Sequence, residues 1–156
     1  MRYLRLAALG EHLQQQVEQQ PFALPLTLKH LIEPGALAAL QQGFAAACET
    51  SDTLPLPYLR LVQELSSHGL LMRLERLTGL TRLLPDQQLI SGGCRHRGVE
   101  VASIHPETGL RLALSLRIDL GQTSSTGDGL LYNTAVADDK PGFLMHYYYS
   151  PFSGRG

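Results

Sequence analysis

The chain has 156 residues, of which 44% are hydrophobic and 17% charged, the composition of one folded domain rather than of a disordered segment. Its net charge of -1 lacks the basic excess of a nucleic-acid binder, and 6% aromatics with no Trp leave little to stack on bases or sugars. No apolar run approaches the roughly 20 residues of a membrane span, and Arg2 and Arg5 are followed by Glu11 and a Gln-rich stretch, not by the apolar core and cleavage site of a secretory leader.

The first half reads as helices. Leu6, Ala7, Leu13 and Val17 recur at roughly helical spacing until Pro21 and Pro25 break the pattern. Residues 22–32 are short, apolar and Pro-bounded, which suits an extended lead-in. Pro34 fits the first turn of a helix running to about Ala47, with Leu37, Leu40, Phe44 and Ala47 on one face. Residues 50–57 form a polar, Pro-bearing loop. A helix over 57–65 carries Leu61 and Leu65 on one stripe. Ser66 or Ser67 caps the next helix, over 70–77, and Gly79 stops it.

Beyond Pro85 the pattern changes to strands, expected over 88–90, 99–104, 110–120, 130–136 and 143–149, with turn clusters between them. Leu110, Leu112, Leu114, Leu116, Ile118 and Leu120 alternate with other residues, and Arg111, Arg117 and Asp119 take the other face. That predicts a half-buried strand with one wet side. Residues 121–129, GQTSSTGDG, read as a hairpin tip. Helices first and strands second predict a single α+β domain over 1–156, with a helical layer to about 84 and an antiparallel strand layer over about 85–150.

The chemistry-bearing residues are sparse. Cys48 and Cys94 have no zinc-ligand spacing and fit a reduced cytoplasm. Cys48 reads as a structural thiol, whereas Cys94 lies beside Arg95 and Arg97, which would lower its pKa. Arg95-His96-Arg97 after Gly92-Gly93 reads as a solvated hairpin tip, with an anion-binding turn as the alternative. Asp138-Asp139-Lys140 reads as a charged turn. Asp119 with Arg111 or Arg117 is either a structural ion pair or a remnant pocket. His12, His30 and His68 are scattered surface residues. No nucleotide cradle and no nucleophile elbow is present.

Several phrases together point to a family. Leu74-Glu75-Arg76-Leu77-Thr78-Gly79-Leu80 is followed by Leu83-Leu84-Pro85-Asp86 and then Gly92-Gly93. Upstream stand Pro21-Phe22 and Leu31-Ile32-Glu33-Pro34-Gly35-Ala36-Leu37; downstream stand His105-Pro106-Glu107-Thr108-Gly109-Leu110 and Tyr147-Tyr148-Tyr149-Ser150. In this order the phrases resemble bacterial prolyl 4-hydroxylase-like Fe(II)/2-oxoglutarate oxygenases over most of the chain. The resemblance implies a double-stranded β-helix, or jelly-roll, of antiparallel strands with N-terminal helices packed on it. An active member of that family holds Fe(II) through a His-x-Asp/Glu pair and a distal His, leaving coordination positions open for 2-oxoglutarate and O₂.

The chain departs from that pattern where the chemistry belongs. Matching the turns puts the metal pair near Val99 and Val101, and neither can bind iron. Residues 135–142, where the distal His is expected, contain none, and only Lys140 lies near the position of the cosubstrate Arg. The resemblance thus implies a shortened, non-catalytic relative, a cytoplasmic pseudoenzyme that has lost Fe(II) and 2-oxoglutarate and serves as a binding or scaffold protein beside a protein partner or an active paralogue. A second alignment makes His105, Glu107 and His146 the Fe(II) ligands of a reduced but active dioxygenase, with Lys140 on the 2-oxoglutarate carboxylate. A third reading is a small-molecule binding module in the barrel mouth, lined by Arg111, Arg117 and Tyr148.

Overall fold

Helix α1, Pro34–Glu49, begins where a proline costs least: Pro34 occupies the first turn, where its missing N–H has no intrahelical partner to lose. Glu33 supplies the carbonyl that accepts from Leu37 at 3.0 Å. Ala36, Leu37 and Leu40 form the buried stripe. The computed structural model describes residues 3–6, 9–10, 24–49, 56–85, 109–121, 126–133 and 142–150, with the backbone alone for 45–49. The strands expected at 88–90 and 99–104, most of the first expected helix, and Cys48, Cys94, the Arg95–Arg97 turn and Asp138–Asp139 or their side chains lie outside that description.

Helix α2, Leu56–Leu65, buries Tyr58, Leu61 and Leu65, spaced three and four apart. Helix α3, His68–Thr78, buries Leu70, Leu74 and Leu77 in the same way. Of the two candidate caps, Ser67 is the N-cap. Its backbone is extended and its hydroxyl accepts from Leu70 N at 3.3 Å. Gly79 ends the helix in the left-handed region at φ 76°, with its N–H on the Glu75 carbonyl at 2.8 Å. A residue with a Cβ is strained there, which is why the chain places glycine at this stop.

Among the described residues five strands form one antiparallel sheet: β1 Leu26–Leu28, β2 Leu83–Pro85, β3 Leu112–Asp119, β4 Gly129–Tyr132 and β5 Gly142–Tyr149, in the spatial order β1-β4-β3-β5-β2. The protein is therefore α+β. The two long strands lie side by side, with Leu116 opposite Met145 and Ile118 opposite Phe143. Directly paired residues share a face, so Leu114, Leu116, Ile118, Phe143, Met145 and Tyr147 form one apolar surface. The helices cover it. Tyr58 of α2 stacks at a tilt on Phe143 of β5, ring centroids 5.5 Å apart. Leu61, Leu65, Leu70, Leu74 and Leu77 belong to the same buried cluster as these strand residues. Each such side chain contributes roughly 1.5–3 kcal/mol relative to exposure, so this interface dominates the stability.

Polar tethers pin the helices and the N-terminal segment in place. The Tyr147 hydroxyl donates to the Leu65 carbonyl at 2.7 Å, and the Tyr58 hydroxyl donates to the Leu40 carbonyl. The Glu64 carboxylate accepts the N–H groups of Tyr3 and Leu4. Tyr3–Arg5 also runs against 31–33, with Arg5 N on Leu31 O at 2.7 Å and Glu33 N on Tyr3 O at 2.8 Å.

Strand β2 is an addition to the sequence reading. Leu83–Pro85 stands where the sequence predicts the end of the helical half, yet it forms an edge strand against Tyr147–Tyr149. Pro85 is acceptable there because an edge strand has one side without a ladder partner to lose. The segment 121–129 connects an antiparallel pair, β3 and β4, and of its described residues Gly127 and Asp128 are tied to the N-terminal half. Asp128 accepts the His30 N–H on its carboxylate at 2.8 Å, and Gly127 accepts from Ile32 N at 3.3 Å.

Candidate functional site

The side of the sheet away from the helices departs from the expected wet face. Strand alternation puts Ser115, Arg117 and Asp119 of β3 on it, and two of these are buried: Ser115 has no exposed surface and Arg117 keeps 5%. Register then assembles the rest in rows. Ser115 is opposite His146 on β5 and Tyr132 on β4. One step along, Arg117 is opposite Leu144 and Leu130. Tyr132 and Leu144 form a second small apolar cluster with Leu130 beside it. The face is therefore a row of His, Ser and Tyr next to an arginine set between two leucines.

Ser115 Oγ and His146 Nδ1 share a hydrogen bond of 2.7 Å, which fixes the imidazole and leaves Nε2 as its other polar atom. The Tyr148 ring lies 6.5 Å from the His146 ring, centroid to centroid. The Tyr132 hydroxyl is buried. Burial pushes its pKa up to about 12, against the smaller opposing pulls of the Ser115 hydroxyl and the Arg117 charge. Ser115 lies close enough to exert that pull, but the Tyr132 oxygen makes no hydrogen bond of acceptable geometry. A phenol of this kind is a neutral donor at any physiological pH.

The sequence candidates are only partly brought together. Arg117, Tyr148 and His146 share this face. Arg111 does not, contrary to the expectation that it lines the same pocket as Arg117. Leu112 pairs with Tyr148 but Leu114 pairs with Tyr147, so one extra residue bulges from β3 between them. The bulge changes the parity of the strand. Arg111 falls beside Tyr149, where its carbonyl accepts the Tyr149 N–H at 2.9 Å, and it is exposed. His105, Glu107 and Lys140 lie outside the described residues. Of the proposed Fe(II) ligands only His146 is therefore placed. Among the described residues no three His, Cys, Asp or Glu side chains are grouped to hold a metal ion. Asp119, the carboxylate nearest in sequence on this face, accepts the Gly121 N–H at 3.1 Å and shapes its own turn.

Ser115 and Tyr132 are the site residues that the sequence reading passed over. Ser115 had a usable signal, since it is the polar residue between Leu114 and Leu116, in phase with Arg117 and Asp119. Tyr132 had none, because its position depends on the β3–β4 register. The described helices include none long and apolar enough to cross a membrane. No protein-family profile, curated protein or solved structure matches the chain.

Proposed function

We propose that the protein is a non-catalytic binding protein on a reduced double-stranded β-helix of the Fe(II)/2-oxoglutarate oxygenase kind, holding a small organic anion against the polar side of its sheet. The observation that carries this reading is the Tyr132 hydroxyl, fully buried and without a hydrogen-bond partner, on the residue directly opposite Ser115 and within reach of the Arg117 charge. A buried hydroxyl left unbonded costs on the order of 1–3 kcal/mol. A bound anion removes that cost by accepting from Tyr132, and Arg117 supplies the matching charge. Ser115 and His146 form the other wall, and Tyr148 closes the side.

The chemistry available on this face is recognition: donors, one cation and aromatic walls. Calorimetric titration with 2-oxoglutarate and succinate in the presence of a metal chelator tests it. Binding that is lost in Arg117→Met and in Tyr132→Phe and unchanged in Arg111→Met is the expected result. No binding to the wild-type protein at millimolar ligand overturns it. Anaerobic addition of Fe(II) and 2-oxoglutarate separates the rival reading. A saturable charge-transfer band that disappears in both His105→Ala and His146→Ala would establish the active dioxygenase, with Glu107 as third ligand and Lys140 on the cosubstrate.

A further inference from the structure

Two hydroxyls meet in one row of the polar sheet face. Ser115 of β3 stands directly opposite Tyr132 of β4, and directly opposed residues of an antiparallel pair hold their Cβ atoms about 4.5–5.5 Å apart. Neither side chain has exposed surface, so bulk water reaches neither oxygen.

The two oxygens differ in what they have left to offer. A hydroxyl carries one proton and two lone pairs. The Tyr132 hydroxyl is without a hydrogen-bond partner, although Ser115 lies near enough to pull on its ionisation. Its proton is therefore open to an acceptor. Among the described residues the Ser115 side chain makes one hydrogen bond, at 2.7 Å to His146 Nδ1. With Ser115 as the donor in that bond, both of its lone pairs remain. With the imidazole as the donor, one lone pair and the hydroxyl proton remain. Ser115 Oγ thus keeps an acceptor site whichever way that proton lies. A donor and an acceptor stand side by side in this row, and they do not satisfy each other.

A simple carboxylate matches only half of this pair. It accepts and cannot donate, so it takes the Tyr132 proton and brings nothing to the Ser115 lone pair. A hydroxyl on the carbon next to the carboxylate supplies the missing donor. Building on the anion-binding reading of this face, we infer that its ligand is a 2-hydroxycarboxylate, the carboxylate accepting from the Tyr132 hydroxyl and the 2-hydroxyl donating to Ser115 Oγ. The Arg117 charge, which also acts on Tyr132, favours a carboxylate over a neutral amide as the acceptor. A 2-oxo acid presents an acceptor where the donor is needed, and sites built to bond a ligand hydroxyl discriminate against analogues that lack it.

Calorimetric titration of the full chain with malate, oxaloacetate and succinate, in the presence of a metal chelator, tests the inference. These four-carbon acids differ only at C2. One enantiomer of malate is expected to bind about threefold to tenfold more tightly than succinate and than oxaloacetate, the scale of one neutral hydrogen bond. In Ser115→Ala that preference disappears while succinate still binds; in Tyr132→Phe all three acids weaken together. Equal affinity for malate and succinate in the wild-type protein overturns the inference and leaves the anion-binding reading standing. A preference for malate that survives in Ser115→Ala overturns it as well. No binding of any of the three acids at millimolar concentration overturns both. If Ser115→Ala no longer melts cooperatively, the wild-type ranking of the three acids decides alone.

Discussion

The carboxylate of Glu64, one residue from the end of α2, takes the backbone N–H of Tyr3 between its two oxygens, at 2.9 and 2.8 Å. Sixty-one positions separate the two residues. The same carboxylate accepts from Leu4, so a single side chain satisfies two consecutive donors of the first segment. Hydrogen bonds to an ionised acceptor contribute about 1.5–3 kcal/mol each. Glu64→Ala is expected to lower the unfolding free energy by about 2–4 kcal/mol, the two bonds being coupled and not fully additive. Urea denaturation measures it. Arg60→Ala, which touches the same carboxylate only at the surface, costs less than about 1 kcal/mol.

Two buried tyrosines make the stability sensitive to alkali. Burial raises the pKa of Tyr132 to about 12 and that of Tyr147 further still, from an ordinary value of 10.0. Above pH 10 the unfolded chain gives up these protons while the folded chain keeps them. The unfolded state then binds fewer protons, and stability falls as pH rises. The slope approaches about 1.4 kcal/mol per pH unit for each group, about 2.7 for both together, between pH 10 and 12. Tyr132→Phe and Tyr147→Phe should each remove one share of that slope. Phenolate absorbance of the folded protein at pH 11 should fall below that of the urea-unfolded chain, and the deficit should shrink in each of the two variants.

The Ser115–His146 contact is testable by a double-mutant cycle. Ser115→Ala leaves a half-buried ring nitrogen without its partner and is expected to cost about 1 kcal/mol. With His146→Ala as the second arm, a coupling energy of at least about 0.5 kcal/mol is expected. Strict additivity would mean that the 2.7 Å contact contributes nothing in solution.

Gly142 opens β5 at the point where it meets Asp119 of β3. A Cβ there would lie 2.7 Å from the Ile118 carbonyl oxygen and 2.7 Å from Arg117 Cγ. The carbonyl belongs to the central strand and cannot step aside. Gly142→Ala should therefore destabilise by about 1–3 kcal/mol, and it should also weaken anion binding on the sheet face by displacing Arg117.

Much of the helical half was legible because its signals are local. The Pro34 start, the Ser67 cap, the Gly79 stop and the spacing of Leu61, Leu65, Leu70, Leu74 and Leu77 all act within a turn or two of chain. The long strands were legible from alternation and β-forming residues. What alternation could not give was the fate of the second face. Arg111 and Arg117 stand an even number of positions apart, so a regular strand puts them together. A single bulged residue near Ala113 separates them, and nothing in Leu-Ala-Leu marks a bulge. Strand β2 was missed because three residues carry no measurable period. The row His146–Ser115–Tyr132 depends on register between three strands, which only the folded sheet fixes.

The sheet order has a consequence for the order of assembly. The centre, β4-β3-β5, is drawn from residues 112–149, whereas the two edges, β1 and β2, come from earlier in the chain and pair only with β4 and β5. The apolar stripes of α2 and α3 also rest on β3 and β5, and α2 is held at its end by Tyr147. Everything made first must wait for what is made last. Ordering of the amino-terminal half is thus gated by closure of loops up to about eighty residues long, a high-contact-order route that folds slowly for its size. A nascent chain stopped short of Gly142 has its leucines ready and no platform for them, and that interval is when it most needs a chaperone.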